Sequence, residues 1–322
     1  MSVLERHLRD DRLRLVDVGA RGGVAPRWER FSRVLEVTAF EPDARECERL
    51  NQDAGSIPYP IRFLPVALGR QAAENVPFHV TSWPVASSIY RPNPDFLRGF
   101  PEAEKLFEVQ RVETIAVETL DQVARREGLV ADCLKVDVEG AALDVLEGAD
   151  ATLTETLVLE VEAELNRVFD GEALFPAVDS FLRERGWMLQ GLRRTSWRRG
   201  ERRDRSESGL GGQIVSIDAL YSNDALFKRG VDLARELKLL VILSAYQQMD
   251  AVLGRLDDLR SRPGYLTSDD LDELRSLLAP PRDSSARIDE TSLAGLDSGE
   301  RRALADSLQP GDATAWEDPH FF

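Results

Sequence analysis

Short blocks of apolar residues alternate with polar, turn-rich stretches along the first two thirds of the chain. Leu13, Leu15, Val16 and Val18 make an apolar run too short for a helix, and Asp17 followed by Gly19, Gly22 and Gly23 ends it in a turn. Pro26, Trp28 and Phe31 predict a short helix that enters with a proline in its first turn. A second apolar run at 35–40 closes with Glu41 and Pro42, and a helix over 43–52 follows with Asp43 as its cap. The alternation continues. Strands are predicted at 61–68, 112–117, 133–140 and 156–161, and helices at 119–127, 141–147 and 174–185, with Gly128 and Gly148 as stops. Shorter strands are expected at 76–80 and 87–90, and a hairpin at 187–192 and 214–220. The prolines between 91 and 101, with Asn93 and Gly99, predict a long irregular loop placed to act as a lid. Strands alternating with helices in this way predict an α/β fold.

After Tyr221 the pattern changes from period two to a helical period. Leu237, Leu240, Val241, Met249, Val252, Leu256 and Leu259 form an apolar stripe, and Thr267 or Ser268 caps a further helix to Leu278. Beyond Pro280 and Pro281 the sequence is polar with scattered apolar residues, a composition that favours disorder. The organisation expected is therefore a main domain over 1–222, a helical extension over 223–280 and a polar tail over 281–322.

Composition narrows the function classes. The 322 residues carry a formal net charge of −16, which argues against a nucleic-acid partner because phosphate binding needs a basic surface. Cys47 and Cys133 are far apart in sequence and flanked by apolar residues, so neither a disulfide framework nor a zinc cluster is expected. Residues 1–14 are charged throughout and no apolar run approaches ~18 residues, so a cytoplasmic protein without a transmembrane segment is expected.

Two stretches carry candidate chemistry. Glycines in the 19–23 turn let a ligand approach the main chain, and Glu41 at the end of the neighbouring strand can accept both hydroxyls of a ribose. Arg21 stands where a dinucleotide fingerprint has its second glycine, and that glycine makes room for a pyrophosphate. S-adenosylmethionine fits such a turn better than NAD. In the second stretch, Lys135, Asp137 and Glu139 alternate along one strand. A lysine buried there needs a partner, and Asp137 or Glu139 supplies it. Glu160, Glu162 and Glu164 repeat the arrangement on the next strand, where they can bind a hard metal, orient a hydroxyl or face water. Arg193, Arg194, Arg198, Arg199, Arg202, Arg203 and Arg205, with Trp197 among them, read either as a solvated hairpin loop or as a clamp for an anionic acceptor or a membrane surface.

The motifs Asp17-Val18-Gly19-Ala20-Arg21-Gly22-Gly23, Phe40-Glu41-Pro42, Ala67-Leu68-Gly69, Thr119-Leu120-Asp121 and Leu134-Lys135-Val136-Asp137-Val138-Glu139-Gly140-Ala141 resemble those of the FkbM-type methyltransferases. The resemblance spans about 13–221, and 137–149 is its most specific segment. It implies a class I, Rossmann-like methyltransferase fold with a mostly parallel seven-stranded sheet, followed here by the helical extension. It also implies S-adenosylmethionine as donor and O-methylation of a hydroxyl in a sugar, glycan or natural product. Residue by residue, it assigns Asp17, Gly19, Ala20 and Gly23 to the methionine part of the donor, Glu41 to the ribose and Ala67 to the adenine. The sequence departs at Arg21, where the family often has asparagine, and at Ala142, where a glutamate is common.

On the acceptor side, Asp137 is the expected base or orienting carboxylate, with Glu139 as alternative and Lys135 tuning the charge. Glu160 is next, and His79 has the better-placed ordinary pKa for a base. The acceptor expected is a small molecule or glycan, with an anionic one suggested by the arginines. Two rivals remain at this level: a nicotinamide-dependent oxidoreductase, and a binding or scaffold protein that keeps the fold without the chemistry.

Overall fold

The computed structural model describes residues 1–199, 212–262 and 266–280. Ten strands are found among them: β1 (Leu13–Val18), β2 (Leu35–Phe40), β3 (Ile61–Leu64), β4 (Ala67–Leu68), β5 (Ala73–Thr81), β6 (Val109–Glu118), β7 (Cys133–Val136), β8 (Val158–Glu164), β9 (Trp187–Trp197) and β10 (Gln213–Asn223). Seven of them form one sheet in the order β3-β2-β1-β7-β8-β10-β9. The first five in that order are parallel, whereas β10 runs antiparallel to both β8 and β9. This is the mostly parallel, class I methyltransferase-like sheet. Its strand order reverses between β1 and β7, because the chain winds outward through β2 and β3 before returning to β7. Loops diverge above the carboxyl ends of those two central strands, which is where open α/β sheets place ligands.

Period two divides β8 into two chemistries. Leu159, Val161 and Ala163 enter the apolar cluster on one face, and Val158 enters the cluster on the other. Glu160, Glu162 and Glu164 share the face of Val158. In register beside Glu160 lies Lys135 of β7, and beside Lys135 lies Asp17 of β1. One face of the sheet is thus apolar near the amino ends of its strands and densely charged near their carboxyl ends.

The C-terminal helices cover the apolar half of that face. Helix Leu233–Ala245 is buried from Glu236 to Ala245, and it shares one cluster with Leu13, Leu15, Val37, Cys133, Val158 and the helices Met249–Ser261 and Ser268–Leu278. A stripe was expected here, but a helix enclosed between a sheet and other helices is apolar on all sides. Its one inward lysine, Lys238, is 1% exposed and paired with Asp132 at 3.0 Å and Asp11 at 2.9 Å. The helical extension therefore completes the core of the sheet.

Several other expectations change. The strand expected at 87–90 is reduced to an isolated bridge between Ser88 and His79, because the 3-10 turn Pro84–Ala86 leaves only that pair in register with β5. The 61–68 strand is broken after Leu64, and Ala67–Leu68 joins a separate three-stranded sheet in the order β4-β6-β5. Segment 91–101 is not irregular. Pro94 and Pro101 each open a short helix, Pro94–Leu97 and Pro101–Leu106, because a proline at the first turn gives up only an N–H that has no intrahelical partner. Both helices pack through Leu97, Phe100 and Ala103 on Phe107, Phe169 and Trp197. The 26–34 segment is a 3-10 helix, and a helix at Asp150–Glu155 went unpredicted. The polar tail over 281–322 lies outside the described residues.

Candidate functional site

A cavity of about 270 Å³ opens at the carboxyl ends of β1, β2 and β7. Gly19 sets its floor. The residue adopts φ +87°, and a Cβ there would fall 1.7 Å from the carbonyl oxygen of Asp137, so only glycine lets the two strand ends meet. The Gly19 and Ala20 amides donate to the Phe40 carbonyl at 3.1 and 2.9 Å, and the Asp137 amide donates to the Val18 carbonyl at 3.0 Å. Three strand ends are thereby locked around one point.

Eight of the nine expected site residues line this cavity: Asp17, Gly19, Gly23, Glu41, Ala67, Lys135, Asp137 and Glu139. Ala20 does not. It is 2% exposed within the apolar core, its backbone tied to β2. Glu41 is 3% exposed, accepts the Asp43 amide at 2.8 Å and has the Arg21 guanidinium 3.6 Å away. Burial pushes its pKa up to about 7 against the opposing pull of that amide and of Arg21. Arg21, which also reaches Asp43 at 3.3 Å, serves as counter-charge for the acid at the end of β2.

Lys135 is the electrostatic centre of the second stretch. Its ammonium lies 2.9 Å from Asp137 Oδ2 and 3.5 Å from Asp17 Oδ1. Burial disfavours its charge, yet Asp137 and Asp17 overcome that and raise its pKa, so it stays a cation. Burial raises the pKa of Asp17 in spite of Lys135, and its Oδ1 has no hydrogen-bond partner. For Asp137 burial is outweighed: Lys135 and a hydrogen bond to Glu162 hold it below the usual carboxylate range. Burial and the charges of Asp137 and Glu139 push Glu162 well above that range. Glu139 adopts φ +51°, and its carbonyl accepts the Ser88 hydroxyl at 2.6 Å. Burial and its neighbours Asp137, Glu164 and Glu172 raise its pKa strongly.

Two acceptor-side candidates are placed elsewhere. Glu160 is 2% exposed, held by the Tyr246 hydroxyl and with Arg27 at 3.6 Å, and it does not line the cavity. It anchors the 3-10 helix and the end of the buried C-terminal helix to the sheet. His79 pairs through its backbone with Ser88 and is also absent from the lining, while burial and Arg91 lower its pKa. The arginine run is partly accounted for. Arg193 is bonded to Asp218 at 2.8 Å, Arg199 lies over the Phe100 ring at 5.0 Å, and Trp197 is buried among aromatic rings. Arg202, Arg203 and Arg205 lie outside the described residues.

Sequence reasoning missed the apolar wall. Phe78, Pro84, Val85, Ile89 and Ile115 come from the small sheet and from the segment after β5, and they line the cavity together with Phe40, Val66 and Leu68. Strand periodicity predicts a buried face for β5 and β6 but not which sheet supplies the other wall. The cavity thus combines an apolar wall with the buried carboxylate of Glu41.

Known methyltransferases are among the proteins similar to this chain. The 2-O-methyltransferase NoeI of Sinorhizobium fredii is 27% identical over 178 residues, which are 51% of this chain and 68% of that protein. A crystal structure of methyltransferase FkbM from Methylobacillus flagellatus aligns with 65% of this chain at 17% identity and a TM-score of 0.36, and the chain spans 44% of that protein's length. A putative tRNA (m1A22) methyltransferase of Streptococcus pneumoniae aligns with 87% of this chain and 100% of that one at 11% identity and a TM-score of 0.34. The description of the Methyltransferase FkbM domain matches residues 17–187, from the first carboxylate of the cavity to the start of β9 and over more than half of the chain. The chain belongs to the FkbM methyltransferase family.

Proposed function

We propose that the protein is an S-adenosylmethionine-dependent O-methyltransferase acting on a hydroxyl of a sugar, glycan or natural product. The observation that carries this reading is one cavity lined by Gly19, by the acid at the end of β2, Glu41, and by the carboxylate Asp137, which is paired with Lys135. The residues fit the donor. Asp17 Oδ1 is buried without a hydrogen bond at the cavity wall and suits an ammonium group, Glu41 suits the two ribose hydroxyls, and Ala67 with its apolar neighbours suits the adenine.

When bound, S-adenosylmethionine supplies a methyl group on a sulfonium, which the acceptor oxygen takes as the carbon–sulfur bond breaks and a neutral thioether leaves. Asp137 receives the hydroxyl proton as the new carbon–oxygen bond forms. Lys135 keeps Asp137 ionised, so the base is ready near neutral pH. Holding the two reactants in line supplies roughly 7–11 kcal/mol of the barrier reduction. General base catalysis adds a factor of about 10²–10⁴. NoeI, as a 2-O-methyltransferase, supports a hydroxyl acceptor.

Thermal unfolding with S-adenosylmethionine, S-adenosylhomocysteine and NAD in parallel tests the donor. At ~100 times its dissociation constant a ligand stabilises by about 2.7 kcal/mol. Stabilisation by the two sulfur ligands alone, lost in Glu41→Ala, is the result expected. Stabilisation by NAD, or by none of the three, overturns the reading. Radiolabelled methyl transfer to hydroxyl acceptors then separates an enzyme from a protein that binds donor without turning it over.

A further inference from the structure

Asp137, Glu139 and Glu162 each offer an oxygen, and these oxygens all lie within 4.8 Å of one another. Oxygens bound to one Ca²⁺-sized ion at 2.3–2.6 Å are at most about 5 Å apart, so the three need little movement to share a cation. Among the described residues, Lys135 divides its charge between Asp137 and Asp17, and Arg193, which also acts on Asp137, is bonded to Asp218.

A second, separate observation points the same way. Behind the three stand Glu164 and Glu172, each 3% exposed and each with an Oε2 that has no hydrogen-bond partner. The charges of both help to raise the pKa of Glu139. Glu172 Oε2 lies against the backbone of Gly140, the residue after Glu139. Its Oε1 is occupied by the Phe169 amide at 3.0 Å. Buried acceptors of this kind are ordinarily satisfied, and two of them directed at one acidic turn mark a place for positive charge.

We propose that Asp137, Glu139 and Glu162 bind a hard divalent cation, of the Mg²⁺, Mn²⁺ or Ca²⁺ class, whose remaining positions are taken by hydroxyl oxygens of the acceptor. All-oxygen donor sets select such ions over softer ones. Asp137 gives the cation one oxygen and keeps Oδ2 for Lys135. Neighbouring ligands on such an ion are roughly 3 Å apart, so a coordinated hydroxyl remains within hydrogen-bond reach of Asp137. A pair of adjacent sugar hydroxyls fits this demand better than an isolated alcohol. The cation's task rests on the methyl-transfer reading; the site itself does not.

The full chain is stripped with a chelator and titrated with Mn²⁺, with free ion followed by electron paramagnetic resonance, for wild type, Glu162→Gln and Glu139→Gln. S-adenosylhomocysteine binding is measured on the same samples. The result expected is one Mn²⁺ per wild-type chain, at least tenfold weaker binding in each variant, and unchanged thioether binding in Glu162→Gln, whose side chain does not line the donor cavity. No Mn²⁺ bound at millimolar concentration, or equal binding by wild type and both folded variants, overturns the proposal. If Glu162→Gln does not fold, Glu139→Gln decides alone, because Glu139 lies in the turn after β7 and Glu162 lies within a strand of the central sheet. Mn²⁺ binding without any binding of the thioether leaves the site standing and removes the methyl-transfer reading.

Discussion

Replacing Glu41 with glutamine removes a charge and one acceptor oxygen from the end of β2 while keeping the shape of the side chain. In the empty site the carboxyl is 3% exposed and titrates near 7 because burial outweighs the help of the Asp43 amide and Arg21. A ribose diol donates two hydrogen bonds, and it favours the ionised acid that can accept both. Donor affinity in the wild type therefore rises as pH increases through about 7, by up to the tenfold that each pH unit allows, and then levels off. Glu41→Gln abolishes that dependence. At pH 8 the variant binds S-adenosylhomocysteine about 10–100-fold more weakly, since a hydrogen bond to a charged group is worth about 1.5–3 kcal/mol. Stability of the empty protein moves in the opposite sense. The folded pKa is raised above the ordinary 4.5, so the neutral acid's stabilisation is complete below 4.5 and is lost as pH rises toward 7. That loss is at most about 3 kcal/mol for this group. Glu41→Gln should therefore unfold at a higher temperature than wild type at pH 8 and at a similar one at pH 5. Calorimetric titration at pH 6 and 8, with melting curves at pH 5 and 8, reads both effects. Equal donor affinity in variant and wild type at pH 8 would refute the ribose assignment, and a melting difference that does not change with pH would refute the buried-acid argument.

Three further substitutions probe other parts of the site. Asp137→Asn is expected to lower methyl transfer by about 10²–10⁴-fold with donor affinity retained, and single-turnover rates that match wild type would remove the base assignment. Gly19→Ala forces a methyl group into the Asp137 carbonyl at 1.7 Å, so donor binding should be lost along with several degrees of melting temperature. An unchanged melting curve would show that the strand ends can separate at no cost. Lys238→Ala leaves Asp132 buried without its partner and should destabilise the protein by about 3–5 kcal/mol, measured by urea unfolding, although the lysine is remote from the cavity. A loss below 1 kcal/mol would mean that the C-terminal helix does not need this pair.

By itself the sequence predicted most strands of the large sheet and most of the longer helices, because period two and period 3.6 are local properties of the chain, but it did not predict the short helices Pro94–Leu97, Pro101–Leu106 and Asp150–Glu155. Asp17, Gly19, Glu41, Lys135 and Asp137 were legible because they sit where apolar runs end and parallel strands bring such ends together, whereas Gly23 and Ala67 came from the family resemblance. What each charge does was decided only by tertiary contacts. Glu160 and Glu162 look alike along β8, yet Tyr246 and Arg27 enclose the first while the second faces Asp137. Ala20 sits in a turn of ligand-binding composition but is drawn into the core by its bond to β2. The 233–245 helix shows a stripe in sequence and is buried all round in space, since a helix cannot announce how many neighbours will enclose it. The wall of Phe78, Pro84 and Ile115 comes from a second sheet whose position depends on packing between distant segments. Periodicity reports which face of an element is buried; only the packed chain decides against what.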